Sequence, residues 1–462
     1  PRFTAVKIDS RVLIFTIALS LLTSMLAGLA PAWQSTKTDL QKSLKDSART
    51  VSGSAGSRRL RSALVVTEIS LSLVLLICTG LMINSLLRLE RVDPGYKTDH
   101  ILSMRITLPP RLYSNNDAIV DFFKHLEERV RAIPGVELAG YTTNLPLTSW
   151  GWMRGILIEG QPLPRVPAEI PIVDYRQISV HYFDILGVRM LKGRSLNEGD
   201  TRNTQPVVVV NESFARQFFP NEEPIGKQFS MLMEPDDLAR RHTRWTIVGL
   251  AKDIKHEGLG SQPKPEIFSL LEQSMGKADD GPDNRMSFIV RAAGDPNALA
   301  AAVRHEILAL DKELPIEQIA TMDQLLSDSL QRQRLIAILL FIFSLIALLL
   351  AAAGIYSVMS YSATQRTHEI GIRMALGANR SDALKLIIGQ GMRLAFIGIA
   401  IGLMGSLALT RLIETLLFEV KASDLLTYAA ISLLIVVVSI LACYLPARRA
   451  AQVDPLVALR CD

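Results

Sequence analysis

Hydrophobic positions in this chain follow two different rhythms. Five runs are apolar for long enough to be read as membrane crossings: 12–33, 62–87, 335–363, a run centred on 394–410, and 425–447. Crossing the hydrocarbon core of a bilayer takes about 20 such residues. The third run holds 29 residues without a charge, and the second is interrupted only by Glu68. The fourth has 17 uncharged residues and must extend past Arg393 or Arg411, whose long side chains can snorkel to the interface.

Between the second and third runs the texture changes. Segment 100–108 alternates apolar and polar positions like a strand, and 117–133 has helical spacing that Pro134-Gly135 ends. A strand returns at 136–141. Near the far end, 245–248 and 287–291 read as strands, 296–310 as a helix and 316–320 as a strand. In the middle, 206–210 is a buried type of strand, followed by a short helix over 211–219 that Pro220 stops. Two β-α-β units separated by an insertion suggest a split β-α-β arrangement. The expected fold class is therefore membrane α-helical, with five spans, plus an extracytoplasmic α+β domain over 88–334.

Charge fixes the orientation. Segments 34–61, 361–390 and 447–462 together hold 14 basic and 6 acidic residues, whereas the rest of the chain holds 36 and 39. If every run crosses once, all three basic segments lie on one side, which the positive-inside rule places in the cytoplasm. The basic balance of the chain is then a property of its topology, and nucleic acid is not an expected partner. Gly53-Ser54-Ala55-Gly56-Ser57 reads as a flexible linker within the first basic segment. Cys78 and Cys443 fall in spans and Cys461 in the tail, so 88–334 has no disulfide framework. The seven histidines are scattered, with no pair at helical metal spacing, and no metal site is expected.

The two ends resemble one another. Leu29-Ala30-Pro31-Ala32 resembles Tyr444-Leu445-Pro446-Ala447, and the same offset pairs Asp9 with Asp424, Asp39 with Asp454 and Lys45 with Arg460. Both copies are a lead-in, a span, a proline and a polar tail. The simplest account is a duplicated protein, with 1–33 the last span of a preceding repeat.

The polar stretch after the third span is the main functional candidate. A helix leaving the membrane at Tyr361 would put Arg366, Glu369, Ile370 and Arg373 on one face, with Gly377 at its C-terminal end. Asn379 or Ser381 can cap a following helix with Asp382 in its first turn, and Ala383, Leu384, Ile387 and Ile388 would form its apolar face. This has the form of a docking surface; the same composition also fits a solvated loop with snorkelling basic residues. Glu68 could contribute to that surface or reach back to Arg58, Arg59 or Arg61. Gly398 and Gly402, followed by Gly405, permit close helix approach, within one unit or at a dimer seam. Trp150 and Trp152 could form an exposed contact loop or pack locally. Gly226-Lys227 is no P-loop: Asn221 stands where the first glycine should be and Gln228 where the hydroxyl should be. No nucleophile-elbow pattern points to a hydrolase.

The run Glu369-Ile370-Gly371-Ile372-Arg373-Met374-Ala375-Leu376-Gly377-Ala378 resembles the signature of MacB/FtsX-type permeases of ABC transporters. Several other stretches resemble the MacB-like periplasmic domain. They are Ile178 through Val188 with Lys192-Gly193-Arg194, Val207–Val210 with Asn211-Glu212-Ser213-Phe214-Ala215, and Pro224-Ile225-Gly226-Lys227. Pro446-Ala447-Arg448-Arg449 with Asp454-Pro455 resembles the family's C-terminus. The extra first span and the end repeat resemble the duplicated permeases of acidobacteria.

The resemblance covers 60–462 and implies a bacterial inner-membrane efflux permease. Its spans would transmit motion to an external domain made of a split β-α-β, porter-like subdomain and an inserted mixed subdomain. It divides the chain into a last span of a preceding repeat (1–33), a cytoplasmic linker (34–61), a span (62–87), the periplasmic core (88–334), a span (335–363), a coupling element (364–390), spans at 391–414 and 425–447, and a tail (448–462). It implies that Arg366, Glu369, Ile370, Gly371, Arg373, Leu376, Gly377, Ala378 and Leu384 contact an ABC ATP-binding subunit, which supplies ATP and Mg. The chain itself is expected to be no enzyme and to bind no cofactor. A second permease unit, a periplasmic adaptor and membrane lipid are the other implied partners. An FtsX-like scaffold that controls a cell-wall partner without transport is the alternative. In MacB the ATPase precedes the permease in one chain, and this sequence departs from that arrangement.

Overall fold

The computed structural model describes residues 10–36, 55–113, 115–148, 151–162, 164, 166–232, 243–274, 284–365, 372, 379–412, 418, 420 and 423–452. In chain order the helices and strands are α1 (Ser10–Thr36), α2 (Ala55–Leu89), β1 (Ile101–Thr107), α3 (Asn116–Arg131), β2 (Val136–Thr142), β3 (Trp152–Ile158), β4 (Ile172–Ile178), α4 (Tyr182–Leu186), β5 (Met190–Gly193), β6 (Val207–Asn211) and α5 (Glu212–Phe218). They continue as β7 (Gln228–Leu232), β8 (Arg244–Ala251), β9 (Glu266–Leu270), α6 (Leu271–Ser274), β10 (Arg285–Ala292), α7 (Pro296–Leu310), β11 (Ile316–Thr321), α8 (Met322–Gln365), α9 (Arg380–Leu412) and α10 (Leu425–Ala451). The chain forms two compact units, one from Asn84–Ile336 and one from the flanking segments.

In the helical unit, four helices are long and apolar enough to cross a membrane: Arg59–Leu89, Met322–Gln365, Leu384–Arg411 and Leu425–Arg449. They correspond to the second to fifth apolar runs. The fourth run gains its length at both ends, because α9 takes in Arg393 as well as Arg411. The first run lies in α1, which extends over 27 residues and is not among these four; within it Leu13–Leu22 is an apolar helical stretch among the described residues. Ile69, Leu73 and Ile77 of α2 share one core with Ile355 of α8, Ile399 of α9 and Ile435 of α10. Small residues let the backbones approach. A Cβ at Gly398 would sit 2.8 Å from Ile69, and one at Gly402 would sit 2.9 Å from Leu73 Cδ2 and from Ser70 O. Ser70 Oγ donates to Gly398 O at 2.9 Å. The glycine pair therefore serves packing of α9 on α2 within the unit.

The other unit is built on one sheet in the order β11-β1-β10-β2-β4-β3-β7-β8-β6-β9, with β5 on β8. Its first four strands come from the two expected β-α-β units. They pair antiparallel, and α3 and α7 bury Phe123, Leu126, Val303 and Ile307 against Met104, Ile106, Phe288 and Val290. The alternation read in 100–108 is what places Leu102, Met104 and Ile106 on that face. Asn115 starts α3 by accepting a hydrogen bond from Ala118 N at 2.7 Å, and Asp295 caps α7 by accepting one from Asn297 N at 3.0 Å.

The inserted segment forms the rest. A parallel pairing of β4 with β9 closes β4, β3, β7, β8, β6 and β9 into a ring. Alternate residues of these strands, among them Ile156, Tyr175, Val208, Phe229, Trp245 and Ile267, gather into one cluster with Phe214 of α5. Between β4 and β9 lies a buried polar group. Arg176 pairs through Nε with Glu266 Oε1, and the two side chains are 1% and 2% exposed. His256 Nε2 lies 3.1 Å from Glu266 Oε2, and neither imidazole nitrogen has a hydrogen bond of good geometry among the described residues.

Candidate functional site

The site read from the sequence begins where α8 ends. Tyr361 is the last aromatic residue of that helix, and the Arg61 guanidinium lies 4.2 Å from its ring centroid. Such a cation–π contact contributes about 0.5–1 kcal/mol at an exposed position. Gln365 Nε2 donates to the Tyr361 hydroxyl at 2.8 Å, and Ser362 Oγ donates to Gln390 Oε1 at 3.4 Å, joining the end of α8 to the start of α9. A cavity of about 270 Å³ opens here among Arg59, Arg61, Val358, Tyr361 and Gln365. Nearby, Arg449 of α10 donates to the Tyr356 hydroxyl at 3.0 Å. Basic residues from two helices and tyrosines from a third thus meet at one end of the helical unit.

Of the sequence-predicted contact residues, Arg366, Glu369, Ile370, Gly371, Arg373, Leu376, Gly377 and Ala378 lie outside the described residues. Leu384 is described. It is partly buried and packs against the helical core, as do Ile387 and Ile388. The apolar face expected of the second helix is therefore turned into the unit, while Asp382 and Lys385 are exposed. That helix starts at Arg380, which leaves Asn379 at the cap position, and Asp382 N donates to Asn379 O at 3.0 Å.

Glu68 meets α8, while the side chain of Arg58, one of its expected partners, and most of the coupling stretch lie outside the described residues. Its Oε2 is buried without a hydrogen bond and lies against Gly354 of α8, where a Cβ would run into it. Among the described residues it forms no ion pair with Arg59 or Arg61. Trp152 is 50% exposed beside the Arg154 guanidinium, 5.5 Å from its ring, while Trp150 lies outside the described residues. No group of three metal-ligating side chains occurs among the described residues.

Sequence reasoning missed the buried Arg176, Glu266 and His256 group. Burial opposes ionisation of Glu266, but the Arg176 guanidinium and His256 outweigh it and hold the carboxyl below the usual carboxylate range. Burial, helped by Arg176, pushes the His256 imidazole down. No spacing signal could have joined these residues, because only the β4–β9 pairing brings Arg176 to Glu266.

Two family models match the sequence. The MacB-like periplasmic core domain matches residues 62–309, and the FtsX-like permease C-terminal region matches residues 341–455. Similar curated proteins include a macrolide export ATP-binding/permease protein MacB of Hahella chejuensis. It is 28% identical over 294 residues, covering 62% of this chain and 43% of that protein. Another, from Mannheimia succiniciproducens, is 28% identical over 292 residues, covering 61% and 42%. The chain thus spans less than half the length of the curated relatives it matches. Among solved structures, the periplasmic region of MacB from Actinobacillus actinomycetemcomitans aligns with 51% of this chain and 95% of its own, at 16% identity and a TM-score of 0.34.

Proposed function

The chain belongs to the family of MacB/FtsX-type ABC transporter permeases, multi-pass membrane proteins with an extracytoplasmic domain, and on that premise we propose that it transmits the ATP-driven motion of a separate ATP-binding subunit to its external domain for export. The observation that carries this reading is the stretch 369–378. It bears Glu369 and Arg373, follows the uncharged run 335–363 directly, and lies within the region matched by the FtsX-like model. No Walker A pattern occurs in these 462 residues. ATP and Mg are then handled by the partner, and Arg366, Glu369, Ile370, Gly371, Arg373, Leu376, Gly377 and Ala378 form the contact, with Leu384 anchoring the second helix to the helical core. The spans of α2 and α8 carry the movement, and 364–390 is the cytoplasmic coupling element. The membrane is the bacterial inner membrane. On the same reading α1 is a fifth crossing that closes a preceding repeat, so that two permease units pair.

Charge reversal tests the coupling assignment. Glu369→Lys with Arg373→Glu should reduce co-purification of a co-expressed ATP-binding subunit by about tenfold or more, the scale of losing one or two charge-assisted contacts. ATPase activity that depends on the permease should fall with it. Undiminished association together with full ATPase coupling would overturn the assignment.

A further inference from the structure

A second cavity lies wholly inside the sheet unit, far in sequence from the coupling stretch. It occupies about 330 Å³ where α3 passes the loop at 197–200 and the β9–α6 junction. That volume is at the lower end of small-molecule sites, which run from about 300 to 1,000 Å³. Five carboxylates line it, Glu127, Glu128, Glu198, Asp200 and Glu272, against two basic side chains, Lys124 and Arg131.

The ion pairs do not cancel this excess. Asp200 is held by Arg194, with Nη1 and Nη2 donating at 2.6 and 2.7 Å, and Glu272 is held by Lys124 at 2.5 Å. Arg131 stands 4.0 Å from Glu127, and its Nη1 lies 3.2 Å from His181 Nε2. Glu128 and Glu198 form no ion pair among the described residues.

The lining also includes apolar side chains and a tyrosine. Tyr141 of β2 is only 4% exposed, packs its ring 5.2 Å from that of Phe123, and lines the cavity. Its hydroxyl makes no hydrogen bond among the described residues. Burial, with the Glu127 and Glu272 charges adding to it, pushes the phenol up, so at neutral pH it is a protonated donor. Ser179, 2% exposed, also lines the cavity; its Oγ accepts from Tyr141 N at 3.0 Å. Ile178, Leu270 and Leu271 also line it.

We propose that this cavity binds a small organic cation, with an ammonium group among Glu127, Glu128 and Glu198 and a short apolar body against Tyr141, Ile178 and Leu271. The aromatic face of Tyr141 adds attraction for a cation. A bare metal ion is the poorer fit, because no trio of ligating side chains converges among the described residues. The proposal does not depend on the coupling assignment, since the two sites lie in different units.

The test uses the full chain in detergent, titrated calorimetrically with phenethylammonium and, separately, with neutral 2-phenylethanol. Saturable one-to-one binding of the ammonium is expected, with the alcohol about tenfold weaker or worse, since contacts to charged groups carry that scale of free energy. Glu127→Gln should weaken the ammonium about tenfold. Glu198→Gln, on an exposed loop where folding is not at stake, should weaken it severalfold, and neither change should alter the alcohol.

Burial pushes Glu127 up to about 7, with Glu198 and Glu128 adding to the rise and Arg131 and Lys124 opposing it. Ammonium binding should therefore weaken as pH falls from about 8 to 6 in the parent chain and much less in Glu127→Gln. Absence of saturation, equal binding of ammonium and alcohol, or unchanged affinity in both variants would overturn the proposal.

Discussion

Replacing Glu266 with alanine should destabilise the sheet unit by about 3–5 kcal/mol, the range found when one partner of a buried ion pair is removed. Arg176 would be left charged at 1% exposure with a single weak acceptor, Asn144 O at 3.4 Å. The main-chain bond from Glu266 N to Asn211 Oδ1, at 2.9 Å, does not depend on the lost side chain, so the cost is electrostatic. The double replacement Arg176→Met with Glu266→Leu should recover most of the loss, because two apolar side chains no longer carry a desolvation penalty. A double-mutant cycle on denaturant midpoints, followed by fluorescence of the buried Trp245, checks both outcomes. A Glu266→Ala change of under about 1 kcal/mol would place the pair outside the determinants of stability.

The same group makes the unit acid-sensitive. Below the ordinary histidine range, near pH 6.5, the unfolded chain protonates His256 while the folded chain resists. The unfolded state then binds more protons, and stability falls as pH falls. Glu266 acts in the same direction at lower pH, because its depressed folded value contributes stability above the unfolded carboxylate value and loses it below. Glu127 acts oppositely, since its raised value favours the folded state as acid is added through neutrality. Between about pH 7.5 and 5.5, His256→Gln should therefore lose less stability than the parent chain.

The parts of the fold legible in sequence are those whose apolar positions recur on one face or run on without interruption. The strand at 100–108 alternates because Leu102, Met104 and Ile106 face the apolar core under α3 and α7 while Ser103 and Arg105, also buried, lie on the other face, and the four long apolar helices announce themselves by composition. Where both faces of a strand are apolar the alternation vanishes. Val207–Asn211, buried throughout, is legible only as a continuous apolar run, whereas Glu266–Leu270, also buried throughout, follows closely on Pro263 and Pro265, which read as loop. The hydropathy of 335–363 marks the apolar part of α8 but not its start at Met322, because backbone hydrogen bonding continues through polar residues that composition assigns to the external domain. At the candidate site the sequence placed Leu384 on an apolar face without indicating what that face meets. Glu68 shows a similar limit: a lone carboxylate in an apolar run can be found by eye, but its contact with Gly354 depends on how α2 and α8 pack.

The second large effect is expected at that kind of helix contact. Gly402→Leu should destabilise the helical unit by about 1–3 kcal/mol or more, as overpacking does when the neighbours cannot yield. The first added carbon would stand 2.9 Å from Ser70 O, a main-chain atom of α2, and 3.0 Å from Leu73 Cβ. Neither can rotate away, so α9 must move off α2 and stretch the Ser70–Gly398 hydrogen bond one turn earlier. Two other glycines of α9 separate this cause from glycine replacement as such. A Cβ at Gly405 would meet Val74 Cγ2 at an ordinary 3.4 Å, and one at Gly389 would meet nothing within 4 Å. Gly405→Ala should be close to neutral. Gly389→Ala should stabilise by about 0.5–1 kcal/mol through the lower backbone entropy cost of alanine in a helix. Thermal unfolding of the full chain in detergent should rank Gly389→Ala above the parent chain and Gly402→Leu well below it. If Gly402→Leu unfolds with the parent chain, close packing at this glycine is not what holds α9 against α2.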